Sequence, residues 1–260
     1  MKNLMIPLAM LSLMACGGGS EELNDAEDAD ESAVVTSSES ALTSELSDEV
    51  AQPMSAAPSE LASAAATRVG SHLTPAGCLT TTVSGATVTY VFNDCTGPYG
   101  LVHVTGTVTA VYSRSSAGAV QAVITGSGVK VNKATVDLNS TVTATQSNGV
   151  KTANVVSNAS GTGPRGNTLE RNGAYTVVYD STTQCITIDG TWTTKAGLRT
   201  ASTVVSGYQR CKGACPAAGG SIVHTTARSN VITITYSGGA SASWATSGGR
   251  TGTVTLQCGS

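Results

Sequence analysis

From about Thr67 onward, apolar and polar residues alternate along the chain with a period of two. In 101–112, Val102, Val104, Val108, Ala110 and Tyr112 fall on one face, and His103, Thr105, Thr107 and Thr109 on the other. In 134–144, Ala134, Val136, Leu138, Val142 and Ala144 alternate with Thr135, Asp137, Asn139, Thr141 and Thr143. The pattern returns in Ile186, Ile188 and Trp192, in Ile232, Ile234 and Tyr236, and in Val254, Leu256 and Cys258. A period of two places successive side chains on opposite faces of a pleated strand, and β-branched residues pack well there. Turn-forming residues punctuate the runs: Ser84-Gly85-Ala86, Ser147-Asn148-Gly149, Gly161 to Gly166, Ser237-Gly238-Gly239 and Ser247-Gly248-Gly249. After residue 70 no stretch repeats every 3.6 residues. One apolar and one polar face per strand, with short connections, implies antiparallel pairing. The expectation is an all-β antiparallel meander of about ten to twelve strands, forming a barrel or sandwich over residues 67–260. A membrane-spanning barrel would carry interfacial girdles of aromatic residues. One Phe, two Trp and seven Tyr do not supply them.

The first sixty-six residues follow different rules. Lys2 precedes an apolar run from Leu4 to Ala15, interrupted by Pro7 and Ser12. That run is shorter than the roughly 20 residues a spanning helix needs and fits a cleavable signal segment, residues 1–15. Residues 16–66 are rich in Gly, Ser, Ala and acids. Between 21 and 60 lie twelve acids and no Lys or Arg, whereas from Arg68 onward there are thirteen basic and five acidic residues, a net charge of +8. A polar segment with one sign of charge buries too little surface to offset its ordering entropy. Residues 17–66 therefore read as a flexible tether about 40 Å long on average, which leaves room for short helical turns near 41–50 or 59–66. A basic domain is attracted to anionic headgroups or polyanions, but its basic residues form no Lys/Arg run.

The apolar run ends Leu13-Met14-Ala15-Cys16. This resembles the lipobox of bacterial lipoproteins, in which a leucine and small residues precede a cysteine; Met14 departs from the usual small residue. The resemblance covers only the first twenty or so residues. It implies cleavage before Cys16, diacylglycerol on its thiol, acylation of the new amine, and membrane attachment with no spanning segment. Gly17, rather than Asp, implies the outer membrane, with the domain facing the periplasm or the surface. Several acyl chains on one residue anchor firmly where a single chain does not.

Six further cysteines follow: Cys78, Cys95, Cys185, Cys211, Cys215 and Cys258. An even number in an exported chain reads as three disulfides. Cys78–Cys95 brackets a hairpin around Ser84-Gly85-Ala86. The other four admit three pairings. Cys185–Cys211 with Cys215–Cys258 joins distant strands and is favoured over Cys211–Cys215 with Cys185–Cys258.

Reactive chemistry is sparse. His72, His103 and His224 are isolated, and zinc needs clustered ligands, so no metal or other cofactor is expected. No Gly-x-Ser-x-Gly elbow occurs, and a serine with His224 and Asp189 has no local support. Gly161 to Gly166 lacks the Lys-Ser/Thr ending of a phosphate loop. Single-stranded nucleic acid would require aromatics among basic residues. The outward threonines Thr105, Thr107, Thr109, Thr141, Thr143, Thr251, Thr253 and Thr255 offer a hydroxyl array for glycans, although β-propensity alone also places Thr there. Trp192 and Trp244 are candidate stacking platforms; the register of Trp192 favours core packing. The sequence thus points to a non-enzymatic, lipid-anchored β-domain in envelope structure or surface interaction. The alternative is a binding module for a hydrophobic or glycan ligand.

Overall fold

The computed structural model describes residues 55–69, 73–96 and 103–256. Cys16, His72 and Cys258, and most of the expected tether, lie outside them.

A short helix, α1 (Pro58–Val69), leads into β1 (Leu79–Ser84), β2 (Thr87–Thr96), β3 (His103–Arg114), β4 (Val120–Val131), β5 (Ala134–Ser147), β6 (Val150–Thr162) and β7 (Thr168–Asp180). Then follow β8 (Cys185–Ala196), β9 (Arg199–Cys211), β10 (Ser221–Thr225), β11 (Val231–Tyr236), β12 (Ser241–Thr246) and β13 (Thr251–Thr255). All thirteen strands form one antiparallel sheet in chain order, β1 to β13. Two expectations change. Among the described residues the count is thirteen, one more than the upper expectation, with β10 to β13 only five or six residues each. The sheet does not close into a barrel: among the described residues, β1 and β13 are its two edges.

The folded unit also starts earlier than residue 67. Leu61, Ala62, Ala65 and Val69 of α1 are buried, an i, i+4, i+8 stripe that packs on β1, β2 and β3. Pro58 takes the first helical position, where its missing N–H costs nothing. The backbone N–H of Ala57 donates to Glu60 Oε2 at 2.8 Å, half of a capping box.

The alternating runs sort as their period requires. Val108, Ala110 and Tyr112, and Ala134, Val136, Leu138, Val142 and Ala144, are buried on one face. A cluster drawn from α1 and β2 to β8 is continuous through that face. A second, of Val205, Tyr208, Ile222, Ile234, Tyr236, Ala242 and Leu256, covers the later strands. Ile188 and Trp192 pack against both. With Val88, Val131 and Ala62 at 0 % exposure and one sheet to cover them, the sheet must curl toward this inner face.

Two of the expected disulfides are present, Cys78–Cys95 and Cys185–Cys211. The second joins directly opposed residues at the ends of β8 and β9. Cys215 is also disulfide-bonded; its partner lies outside the described residues. With Cys211 bonded to Cys185, the Cys211–Cys215 alternative is excluded.

Candidate functional site

The outer face carries the most extended chemical pattern in the molecule. Following the register strand by strand, Thr82 faces Thr89, Thr89 faces Thr109, Thr109 faces Thr125 and Thr125 faces Asn139. The row continues through Asn158, Asn172, Thr193 and Ser202 to Thr225. One unbroken line of hydroxyls and amides therefore crosses β1 to β10, with side chains repeating every ~4.8 Å. A parallel row two residues along the strands runs Val111, Val123, Thr141, Val156, Ala174, Thr191, Val204. Val111, Val156 and Val204 stand exposed in it. Polar and apolar lines thus lie side by side on a broad solvent face. Thr105, Thr107, Thr109, Thr141, Thr143, Thr251, Thr253 and Thr255 all belong to this face. Asn139 was legible as an outward residue, but its alignment with Asn158 and Asn172 escaped the sequence reading because a ladder runs across strands. Only the register reveals that three asparagines 19 and 14 residues apart stand shoulder to shoulder.

The inner face holds a shorter polar lane: Ser140, Ser157, Gly173, Trp192, Thr203 and His224 are successive register partners. The half-buried Ser140 hydroxyl donates to Ser157 Oγ at 2.8 Å. The Trp192 indole lies across Gly173, where an added Cβ would stand 2.5 Å from its Cδ1. Beside it, Arg171 is 2 % exposed. Its Nη1 donates to Thr194 Oγ1 at 3.1 Å, and its guanidinium sits 6.0 Å from the Trp192 ring centre, a cation–π arrangement. Thr203 Oγ1 is 3.0 Å from His224 Nδ1. Burial pushes the pKa of that imidazole down, because the charged form loses hydration. The half-buried Trp192 joins the two clusters, so its expected core role is met. Trp244 likewise lies over its register partner, Gly252. Both indoles cover sheet backbone that has no side chain of its own.

The domain's acids are held in local structure. Asp137 Oδ1 accepts from Ser127 Oγ and from the Gly128 N–H, both at 2.7 Å. These bonds, the hydroxyl first, hold its carboxyl below the usual pKa. Asp189 Oδ1 accepts from the Gly207 N–H at 2.6 Å. The device recurs: Gly128 and Gly207 both have φ near 60°, each at a bulge, and a carboxylate on the neighbouring strand takes the N–H that the bulge frees from the ladder. Asp180 accepts from Thr182 N in the β7–β8 turn, and Asp94 contacts His103 Nδ1 at 2.8 Å. Glu170 pairs with Lys195 at 3.8 Å. Asp189 thus stands exposed among outer-face residues while His224 is on the inner lane, and the structure does not bring those two together. Among the described residues, no three His, Cys, Asp or Glu side chains gather as a metal site, and no helix is long and apolar enough to cross a membrane.

The chain matches no protein-family model, no curated relative and no solved structure.

Proposed function

We propose that this is a lipid-anchored protein of the bacterial outer membrane, with its β-sheet acting in envelope structure or surface interaction rather than in catalysis. The observation that carries the reading is the run Leu4 to Ala15 ending in Leu13-Met14-Ala15-Cys16. The geometry is compatible with it. The folded unit begins at Pro58, leaving about forty residues between the anchor and the first described element. The disulfides require an oxidising compartment, as export supplies. The described carboxylates of the sheet hold turns, bulges and ion pairs.

Cells fed labelled palmitate are expected to yield a labelled mature chain. The Cys16→Ser variant is expected to carry no label, to keep its signal segment, and to change fractionation. A Cys16→Ser chain processed and retained like the original would refute the anchor.

A second reading, a glycan-binding module, is favoured by the outer ladder. Ten polar side chains in line offer repeated donors and acceptors to an extended polar polymer. In this reading the site is the open face and not an enclosed cavity. Replacing Asn139, Asn158 and Asn172 together by alanine is then expected to lower retention on immobilised envelope polysaccharide at least tenfold, at about 0.5–1 kcal/mol for each lost hydrogen bond. Unchanged retention removes this reading and leaves the anchor untouched.

A further inference from the structure

The basic residues that form no run in the sequence form one in space. In an antiparallel meander alternate turns lie at the same end of the sheet. At one end are the β4–β5, β6–β7, β8–β9, β10–β11 and β12–β13 turns. Each carries one exposed cation within it or at its border: Lys133, Arg165, Arg199, Arg228 and Arg250. Lys130 and Lys195 stand just inside the same rim. At the opposite end, the turns 85–86, 115–119, 148–149, 181–184, 212–220 and 237–240 and their borders also carry Arg114, Lys151, Asp180, Arg210 and Lys212, but of these only Lys212 is exposed, Arg114 and Asp180 being half-buried and Lys151 and Arg210 buried. Turns two strands apart are separated by ~10 Å, so the five cations line an arc of roughly 40 Å. The acids near this rim are already engaged: Glu170 with Lys195, Asp94 with His103, and Asp137 with the β4 bulge. In the middle of the arc, at the tip of the β8–β9 turn, Leu198 is 102 % exposed.

We infer that this rim is a docking surface for an anionic phospholipid bilayer. A row of cations alone would suit any polyanion. The fully exposed leucine among them suits a surface that offers anionic headgroups with hydrocarbon beneath, where a single apolar side chain can bury itself. The contact does not depend on lipid at Cys16, and it would orient the sheet with its strands standing on the membrane.

The test uses the chain from Gly17 to Ser260, which lacks Cys16 and retains every described residue. Sedimentation with vesicles of phosphatidylcholine containing 30 % phosphatidylglycerol, against phosphatidylcholine alone, reads the binding. Binding is expected only to the anionic vesicles, and to be lost in high salt. Each juxtamembrane cation contributes about fivefold, so a Lys133→Gln, Arg250→Gln double variant should bind roughly 25-fold more weakly. Leu198→Ser should weaken binding several-fold at unchanged charge. Lys212→Gln, on the other rim, should change it less than twofold. Equal binding to both vesicle types overturns the inference, as does a loss with Lys212→Gln that matches the rim variants. Retention on heparin without vesicle binding would assign the rim to a soluble polyanion instead. Vesicle binding that emerges only when the acids of residues 21–49 are neutralised would assign it to the chain's own acidic segment. Circular dichroism of each variant separates lost binding from lost folding.

Discussion

Replacing Cys185 and Cys211 together by alanine is expected to lower the stability of the sheet by about 3.5 kcal/mol, the loop-closure entropy of a 26-residue separation. The bridge between Cys78 and Cys95, separated by 17 residues, should be worth about 3.1 kcal/mol on the same account. The two losses differ little in size but should differ in kind. Cys78–Cys95 lies where α1 and the large cluster reinforce β1 and β2. Cys185–Cys211 clamps β8 to β9 at the border of the smaller cluster, which holds only seven buried residues, six on β9 to β12 and Leu256 just after β13. Without that clamp, β9 to β13 are expected to open before the rest. The unfolding curve should broaden, and amide exchange should rise selectively from β9 onward. A single sharp transition with a midpoint near that of the parent chain would show that the small cluster holds without its bridge.

How far this architecture was legible depends on which physical signal each feature leaves. The inward faces of β3 and β5 were readable because a period of two survives one or two exceptions. The Asn148-Gly149 turn was readable because both residues adopt positive φ, the conformation a two-residue hairpin demands. It sets Ser147 opposite Val150, and with them the register of β5 on β6. Lys151, Arg171 and Arg210 were not readable as inward residues. Charge argues for solvent, yet each is under 10 % exposed. Arg171 shows how such a site is tolerated, with a hydroxyl partner and an indole face. Arg210 donates through Nε to the Ala214 carbonyl at 3.2 Å. The α1 stripe was hidden by its composition, since Ala62 and Ala65 look like tether until something packs on them. The bulge carboxylates left a faint trace: a lone Asp in a Thr- and Val-rich strand, with Ser-Gly pairs at 127–128 and 206–207 elsewhere. The outer ladder and the basic rim left none within any one strand. Both are products of pairing, and appear only when thirteen segments are laid in order.

The same dependence on pairing makes Gly190 a position where a single added methyl group should do large harm. Gly190 faces Tyr175, and Gly173 faces Trp192, on β7 and β8. The two aromatic rings pack at 5.3 Å between centres, and Gly173 admits the Trp192 ring opposite it. The surroundings of the two glycines differ in what can yield. A Cβ on residue 173 would meet the Trp192 indole, a side chain that can tilt. A Cβ on residue 190 would lie 2.7 Å from the Tyr175 Cα and 2.9 Å from the Ala174 carbonyl oxygen. Backbone in the middle of a sheet cannot move without breaking its ladder. Gly190→Ala is therefore expected to cost about 3 kcal/mol, the upper end for overpacking, and Gly173→Ala about 1 kcal/mol. Urea midpoints at constant m-value measure both. Tryptophan emission adds a readout, since Gly173→Ala should shift the Trp192 environment while largely sparing the fold. If Gly190→Ala proved no more costly than Gly173→Ala, close approach of the β7 backbone would not be what requires glycine there.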